Sequence, residues 1–358
     1  MTNATSQFSD VLAAIRPLDP KYAMEAQHKL NSLTKPIGSL GRLEKIAAQM
    51  YCIFSGEVRL PLCRSVYVFA ADHGVVAEGV SAYPSEVTAQ MVLNFLGGGA
   101  AVNVLARQNN VALIVVDVGV AADFNDAASL CRMKIRRGSR NMRREPAMTE
   151  EELTAALDVG VRLAQTAAAK GENLVAVGEM GIGNTAAASA ITSLLTQQPV
   201  AVVTGRGAGL DADGRNRKLH VIRRAIKSHF GAEPNPAPLE ILRCVGGLEI
   251  AAMTGFILSA AANRISIVCD GFISTAAAAV AHALSPNVRD YLFAGHCSEE
   301  PGHRHLLRLL DLTPILNLGM RLGEGTGAVL AMPLIESSLR LLTEMATFSS
   351  AGVSEALS

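Results

Sequence analysis

The stretch Asn173 to Leu194, N-L-V-A-V-G-E-M-G-I-G-N-T-A-A-A-S-A-I-T-S-L, leaves the chain few ways to fold. Leu174 to Val177 is an apolar run of the kind buried on both faces of a sheet. Gly178, Gly181 and Gly183 follow, with Asn184 and Thr185 as helix N-cap candidates. An alanine-rich segment of high helix propensity comes next. A buried strand, a glycine turn and a helix in that order form the repeating unit of a parallel α/β sheet. The same order aims free backbone N–H groups and the positive end of a helix dipole at one point, which suits a phosphate. An isolated glycine turn is more often only a tight connection. Here similar polar, glycine-rich tips recur after other apolar runs, and that weakens the plain reading.

From about residue 64 the chain alternates in this way. Candidate strands are Ser65–Ala70, Ala112–Val118, Leu174–Val177, Val200–Thr204, Ile265–Cys269, Tyr291–Ala294 and Pro314–Leu318. Helical patterns between them predict a doubly wound parallel sheet, whose site lies outside the carboxyl ends of the strands. Residues 1 to about 60 read as helical, with a structured turn at K-P-I-G-S-L-G-R-L-E (35–44), where Pro36, Gly38 and Gly41 forbid a continuous helix. Lys35 and Arg42 in that turn read as solvated. Leu334 to Met345 is helical again, so helical segments at both ends are expected to pack together as an annex.

Charge and cysteine usage narrow the class. Lys plus Arg equals Asp plus Glu at 32 each, so no global field draws the chain to nucleic acid or to an anionic membrane. The six cysteines are scattered without CxxC pairs, which predicts reduced thiols and a cytoplasmic protein. The first residues carry no basic and apolar leader pattern, and no stretch of about 18 uninterrupted apolar residues suggests a membrane span.

The loops after the strands carry the candidate chemistry. The first, Ala70 to Met91, packs Asp72, His73, Glu78, Ser81, Tyr83 and Gln90 into one connection and reads as a binding loop. Asp72 and His73 are adjacent and should point apart, which favours structural hydrogen bonding over an acid–base pair. Ser85 or its neighbours should start a helix through Gln90 and Asn94. The basic run at 132–144 lacks aromatic interleaving and reads as a solvated surface loop. In T-G-R-G-A-G-L-D-A-D-G-R-N-R-K (204–218), Arg206 and Lys218 suit a phosphate or carboxylate. No G-x-x-x-x-G-K-[ST] loop occurs, and no G-x-G-x-x-G sits in a first βα unit, so a dinucleotide cofactor is unsupported. His296, Cys297, His303 and His305 match no common zinc spacing, and turn or cap roles are favoured over a metal. Glu324 stands between Gly323 and Gly325 at a helix start. Apolar surroundings would raise its pKa and suit a general base, while the helix N-terminus alone would also favour a carboxylate there. The residues by themselves leave these two readings even.

Seven long motifs then stand in one order: K-P-I-G-S-L-G-R-L-E (35–44), A-D-H-G-V with E-G-V-S-A-Y-P-S-E-V-T-A-Q-M (71–91), G-E-M-G-I-G-N-T (178–185), T-G-R-G (204–207), D-G-F-I-S-T-A-A-A (270–278), G-H-C-S-E-E-P-G-H (295–303) and G-M-R-L-G-E-G-T-G-A (319–328). With them the chain resembles, over nearly its whole length, the nicotinate-nucleotide–dimethylbenzimidazole phosphoribosyltransferase family of cobalamin lower-ligand assembly. The strongly basic 132–144 loop is the one local departure. The resemblance implies a Rossmann-like α/β catalytic domain (61–334) and a small helical domain from both chain ends (1–60 plus 335–358), in a homodimer. It implies phosphoribose transfer from nicotinate mononucleotide to 5,6-dimethylbenzimidazole, with inversion at the anomeric carbon. It assigns Glu324 as general base. It places Glu179, Met180, Gly181, Ile182, Gly183, Asn184, Thr185 and Lys218 at the nucleotide and its phosphate. Ser81, Tyr83, Gln90, Leu322 and Gly323 would line the base pocket, with no cofactor and no metal. A different nucleotide-dependent transferase and a non-catalytic nucleotide-binding protein are the competing readings; a glycine-flanked Glu324 speaks against the second.

Overall fold

The computed structural model describes residues 2–124, 127–231 and 235–354. Seven strands form one sheet: β1 (Arg64–Ala71), β2 (Ala112–Gly119), β3 (Cys131–Arg132), β4 (Leu174–Met180), β5 (Ser266–Cys269), β6 (Leu292–His296) and β7 (Pro314–Leu316). Their order is β3-β2-β1-β4-β5-β6-β7, and every pair is parallel. The chain builds outward from β1 to β3, then returns to the other side of β1 at β4. That reversal opens a crevice at the carboxyl ends of β1 and β4, where Ala70 and Met180 stand side by side. A register shift between Ala70 and Ala71 bends β1 at that end.

Six of the strands fall where apolar runs predict them. Val200–Thr204 does not: Val200–Val203 is a short helix after Pro199. Four apolar residues suit a buried helical turn as well as a strand, and Pro199 presets the entry to the turn. The two-residue β3 leaves no apolar run to read.

The helix Leu248–Ala262 is apolar on every side because it lies between the sheet and the helix Glu150–Ala169. Phe256 from it packs against Tyr67 and Phe69 of β1, with ring centroids 4.6 and 5.6 Å apart. The Tyr67 hydroxyl donates to Glu172 at 2.9 Å, which satisfies its one buried polar group.

The two ends of the chain do meet. Ala26, Leu30, Leu33, Ala47, Tyr51 and Leu342 form a small apolar cluster of their own, and Leu33 pairs with Thr347 in an antiparallel bridge. Helix Arg42–Ile53 joins this cluster to the main core, giving Ala47 and Tyr51 to one and Ile46, Met50 and Ile53 to the other. Helix Thr326–Glu344 is continuous through Pro333. It therefore starts at the crevice and ends in the small cluster, without a break near residue 334. The 35–44 turn is not solvated as its composition suggested. Lys35 is buried against Glu44 at 2.9 Å, and Arg42 donates to the carbonyls of Thr313 and Pro314.

Candidate active site

A cavity of about 560 Å³ opens at the carboxyl ends of β1, β4, β5 and β6. A second cleft of about 610 Å³ lies by Arg42, Lys45 and Arg289, beside the start of β6. It is the crevice cavity that collects the glycine-rich turns and the buried acids, so the chemistry belongs there.

Its floor is built by a strained turn. Gly323, Glu324 and Gly325 all have positive φ, at 85°, 64° and 88°. Such a run is ordinary for glycine and costly for glutamate, so the surrounding structure must hold it. Asp270, at the end of β5, does so from below: its carboxylate accepts the N–H of Gly325 at 3.1 Å and of Ala328 at 3.0 Å. Gly178 of β4 lets the turn lie flat on the sheet, since a Cβ there would come 2.5 Å from the Gly325 nitrogen. Glu324 is buried, and its Oε2 has no hydrogen-bond partner. Burial first, and then the charge of Asp270, push its carboxyl up to about 7.

Glu179 lies beside it. Its carboxylate sits where a side chain on Gly323 would be, and accepts a hydrogen bond from Asn184. Burial pushes it up to about 8, opposed by Asn184 and assisted by the charges of Glu249, Asp270 and Glu324. Sequence reasoning put Glu179 with the nucleotide. The structure sets it within the acid group around Glu324.

The turn Gly181–Thr185 forms one wall. Gly183 itself is the N-cap of helix Asn184–Thr196, at φ 95°, so Asn184 and Thr185 are the first helical residues rather than caps. The Ile182 N–H donates to Thr88 at 3.1 Å. Behind the turn, His73 and Glu249 form a buried pair at 2.7 Å. Burial works against a charged His73, yet the charge and hydrogen bond of Glu249 outweigh it and raise its pKa. Asp72 points the other way and accepts the N–H of Ala121 at 2.8 Å, so the two adjacent residues do diverge into structural roles.

Lys218 is fully buried, and its ammonium donates to the Thr185 hydroxyl at 2.8 Å. Burial lowers its pKa to about 8, with Glu300 opposing and Arg215 assisting. It stands behind Thr185 and does not line the cavity. Glu300 accepts the N–H of Gly207 at 2.9 Å, and this fixes the 204–209 loop at the rim.

Ser81, Tyr83, Leu322 and Gly323 line the cavity. Gln90 does not. On the helix Glu86–Leu96, Val87 and Met91 share the inward face at i and i+4, and Gln90 is turned to solvent. The basic loop is not a free charged surface either. Arg140 pairs with Glu152, Arg143 and Arg144 with Glu78, and Lys134 with Asp117. Sequence reasoning missed the cavity roles of His296, Ser298 and Glu300. Their position after an apolar strand was the available signal.

Comparison with known proteins shows the family. A family model described as a phosphoribosyltransferase matches residues 15–353. A nicotinate-nucleotide–dimethylbenzimidazole phosphoribosyltransferase of Geobacter sulfurreducens is 51% identical over 348 residues, covering 97% of this chain and 98% of the relative. One of Chloroflexus aggregans is 50% identical, covering 98% of this chain and 99% of its own. The crystal structure of the enzyme of that name from Thermus thermophilus is 47% identical and superposes with a TM-score of 0.89 over 95% of this chain and 100% of that chain.

Proposed function

The chain belongs to the nicotinate-nucleotide–dimethylbenzimidazole phosphoribosyltransferase family, a family of pentosyltransferases, and from that premise we propose the reaction it runs. It moves the 5-phosphoribosyl group of nicotinate mononucleotide to 5,6-dimethylbenzimidazole, in the cytoplasm, on a Rossmann-like catalytic domain. The C1′–N bond to the pyridinium breaks, and its electron pair stays on the leaving nitrogen, so nicotinate departs as a neutral ring without a general acid. A benzimidazole nitrogen attacks C1′ from the opposite face, which turns the β anomer into α. Its other nitrogen must give up a proton, and Glu324 accepts it. The products are α-ribazole 5′-phosphate and nicotinate.

One observation carries the reading: a buried carboxylate with a free oxygen, held near neutral pKa, faces a cavity with apolar walls. A base of pKa about 7 is half ionised at neutral pH and strong enough to take the proton. Val87, Met91 and Leu322 suit the flat acceptor, while the glycine turn at helix Asn184–Thr196 suits the phosphate. Lys218 acts through Thr185 to orient that wall. Incubating the protein with both substrates and assigning the product anomer by NMR tests this. α-Ribotide formed one for one with nicotinate supports it; β-ribotide, or nicotinate release with no ribotide, contradicts it.

A further inference from the structure

We propose that His296 binds the 2′-hydroxyl of the donor ribose and makes the site select a ribonucleotide over its 2′-deoxy counterpart. The identity of the donor rests on the transfer reaction above. His296 ends β6, is 1% exposed and lines the cavity. Neither ring nitrogen has a hydrogen-bond partner in the protein. The nearest carboxylate, Asp270, is 3.9 Å from Nε2, and both of its oxygens already accept N–H groups of Gly325 and Ala328.

A second buried histidine provides the contrast. The His303 ring lies 6.3 Å away. Its Nδ1 accepts the Ser298 N–H at 2.9 Å, and its Nε2 meets the Thr275 hydroxyl at 3.0 Å. The fold uses both nitrogens of His303 and neither of His296. Leaving two buried polar atoms unmatched is costly, so a group from outside the chain is the natural partner. Two glycines lie against the ring. A Cβ on Gly271 would come 3.1 Å from Nε2, and one on Gly327 would run into the ring edge at Cδ2.

Position selects the hydroxyl. The cavity lining mixes apolar Val80, Val87 and Leu322 with polar His296, Ser298 and Glu300. His296 packs on Gly327, three residues beyond Glu324, so it stands on the helix start that carries the proposed base. The hydroxyl next to C1′ is the 2′. A hydroxyl both donates and accepts, so it can pair with a ring nitrogen that bears a proton or with one that does not.

The test is the binding of nicotinate mononucleotide and its 2′-deoxy analogue, without acceptor base, to wild type and to His296→Ala, His296→Leu and His296→Gln. Wild type should prefer the ribonucleotide by about tenfold or more. The alanine and leucine variants should lose that preference, and the glutamine variant should recover part of it. Equal binding of both donors by wild type would overturn the proposal. So would variants that weaken both donors by one factor and keep the ratio, which marks a packing role. Should alanine not fold, leucine fills the space without polar atoms and gives the same reading. Turnover with dimethylbenzimidazole is read in parallel. A wild type that discriminates the donors yet makes no α-ribotide refutes the transfer reaction and leaves the subsite standing. Failure to bind either donor overturns both.

Discussion

Glu324 and Glu179 share one buried floor, and burial pushes their carboxyls up to about 7 and about 8. For Glu324 the consequence is kinetic. A base must be ionised, so turnover at saturating substrate should fall about tenfold per pH unit below pH 7; a flat profile down to pH 5 would speak against it. For Glu179 the consequence is stability. Its folded value lies above the ordinary 4.5, so the fold favours the neutral acid. That stabilisation is full below about 4.5 and is lost as pH rises towards 8. Glu179→Gln keeps an acceptor for Asn184 and removes the titration. Its melting temperature should therefore decline less than that of wild type between pH 5 and pH 8, by at least about 2 °C. At this scale the sequence was legible where chemistry and local geometry coincide, as at Glu324 between its glycines. It misled where the folded path of the chain decides. Only the closing of the 35–44 turn brings Lys35 onto Glu44 at its other end, nothing near Lys218 in the chain announces Thr185, and nothing but helix phase turns Gln90 outward.

The packing of β4 on the 323–325 turn, with Asp270 holding the turn from below, sets where Glu324 stands. Gly178→Ala would put a Cβ 2.5 Å from one backbone nitrogen and 2.6 Å from the Glu324 carbonyl carbon. Backbone cannot yield as a side chain can, so the turn must lift. Turnover should drop by about tenfold to a hundredfold, with about 1–3 kcal/mol lost in denaturant unfolding. Wild-type turnover in a folded variant would show that the turn position does not matter. Most elements were readable because long apolar runs between helical patterns have few alternatives. Val200–Val203 was not, since four apolar residues fit either element and only the helices packed on them decide. Helix Thr326–Glu344 was read as two segments, because its sequence does not show that Pro333 is tolerated mid-helix.

The two chain ends meet in a small cluster, and the cavity lining includes half-exposed Tyr83 and Leu322, at 50% and 55%. An apolar rim at an active site suits a partner surface. We propose the homodimer that the family resemblance implies, for which sedimentation should give about twice the 37.6 kDa chain mass. A test of shared sites must avoid Lys35 and Arg42, which hold their own subunit together. Ile37 is 76% exposed and is the better choice. If each site draws on both subunits, Ile37→Arg alone should lose activity, and co-refolding that chain with an inactive Glu324→Gln chain should restore it. No rescue in confirmed heterodimers would limit the site to one chain.

The account turns on one proton and the residue that takes it. The most direct test is the turnover of Glu324→Gln with saturating nicotinate mononucleotide and dimethylbenzimidazole, with binding of both substrates checked on the same protein. The variant should bind both and lose about two to four orders of magnitude in turnover. Turnover within a fewfold of wild type would remove Glu324 as the base and contradict the mechanism.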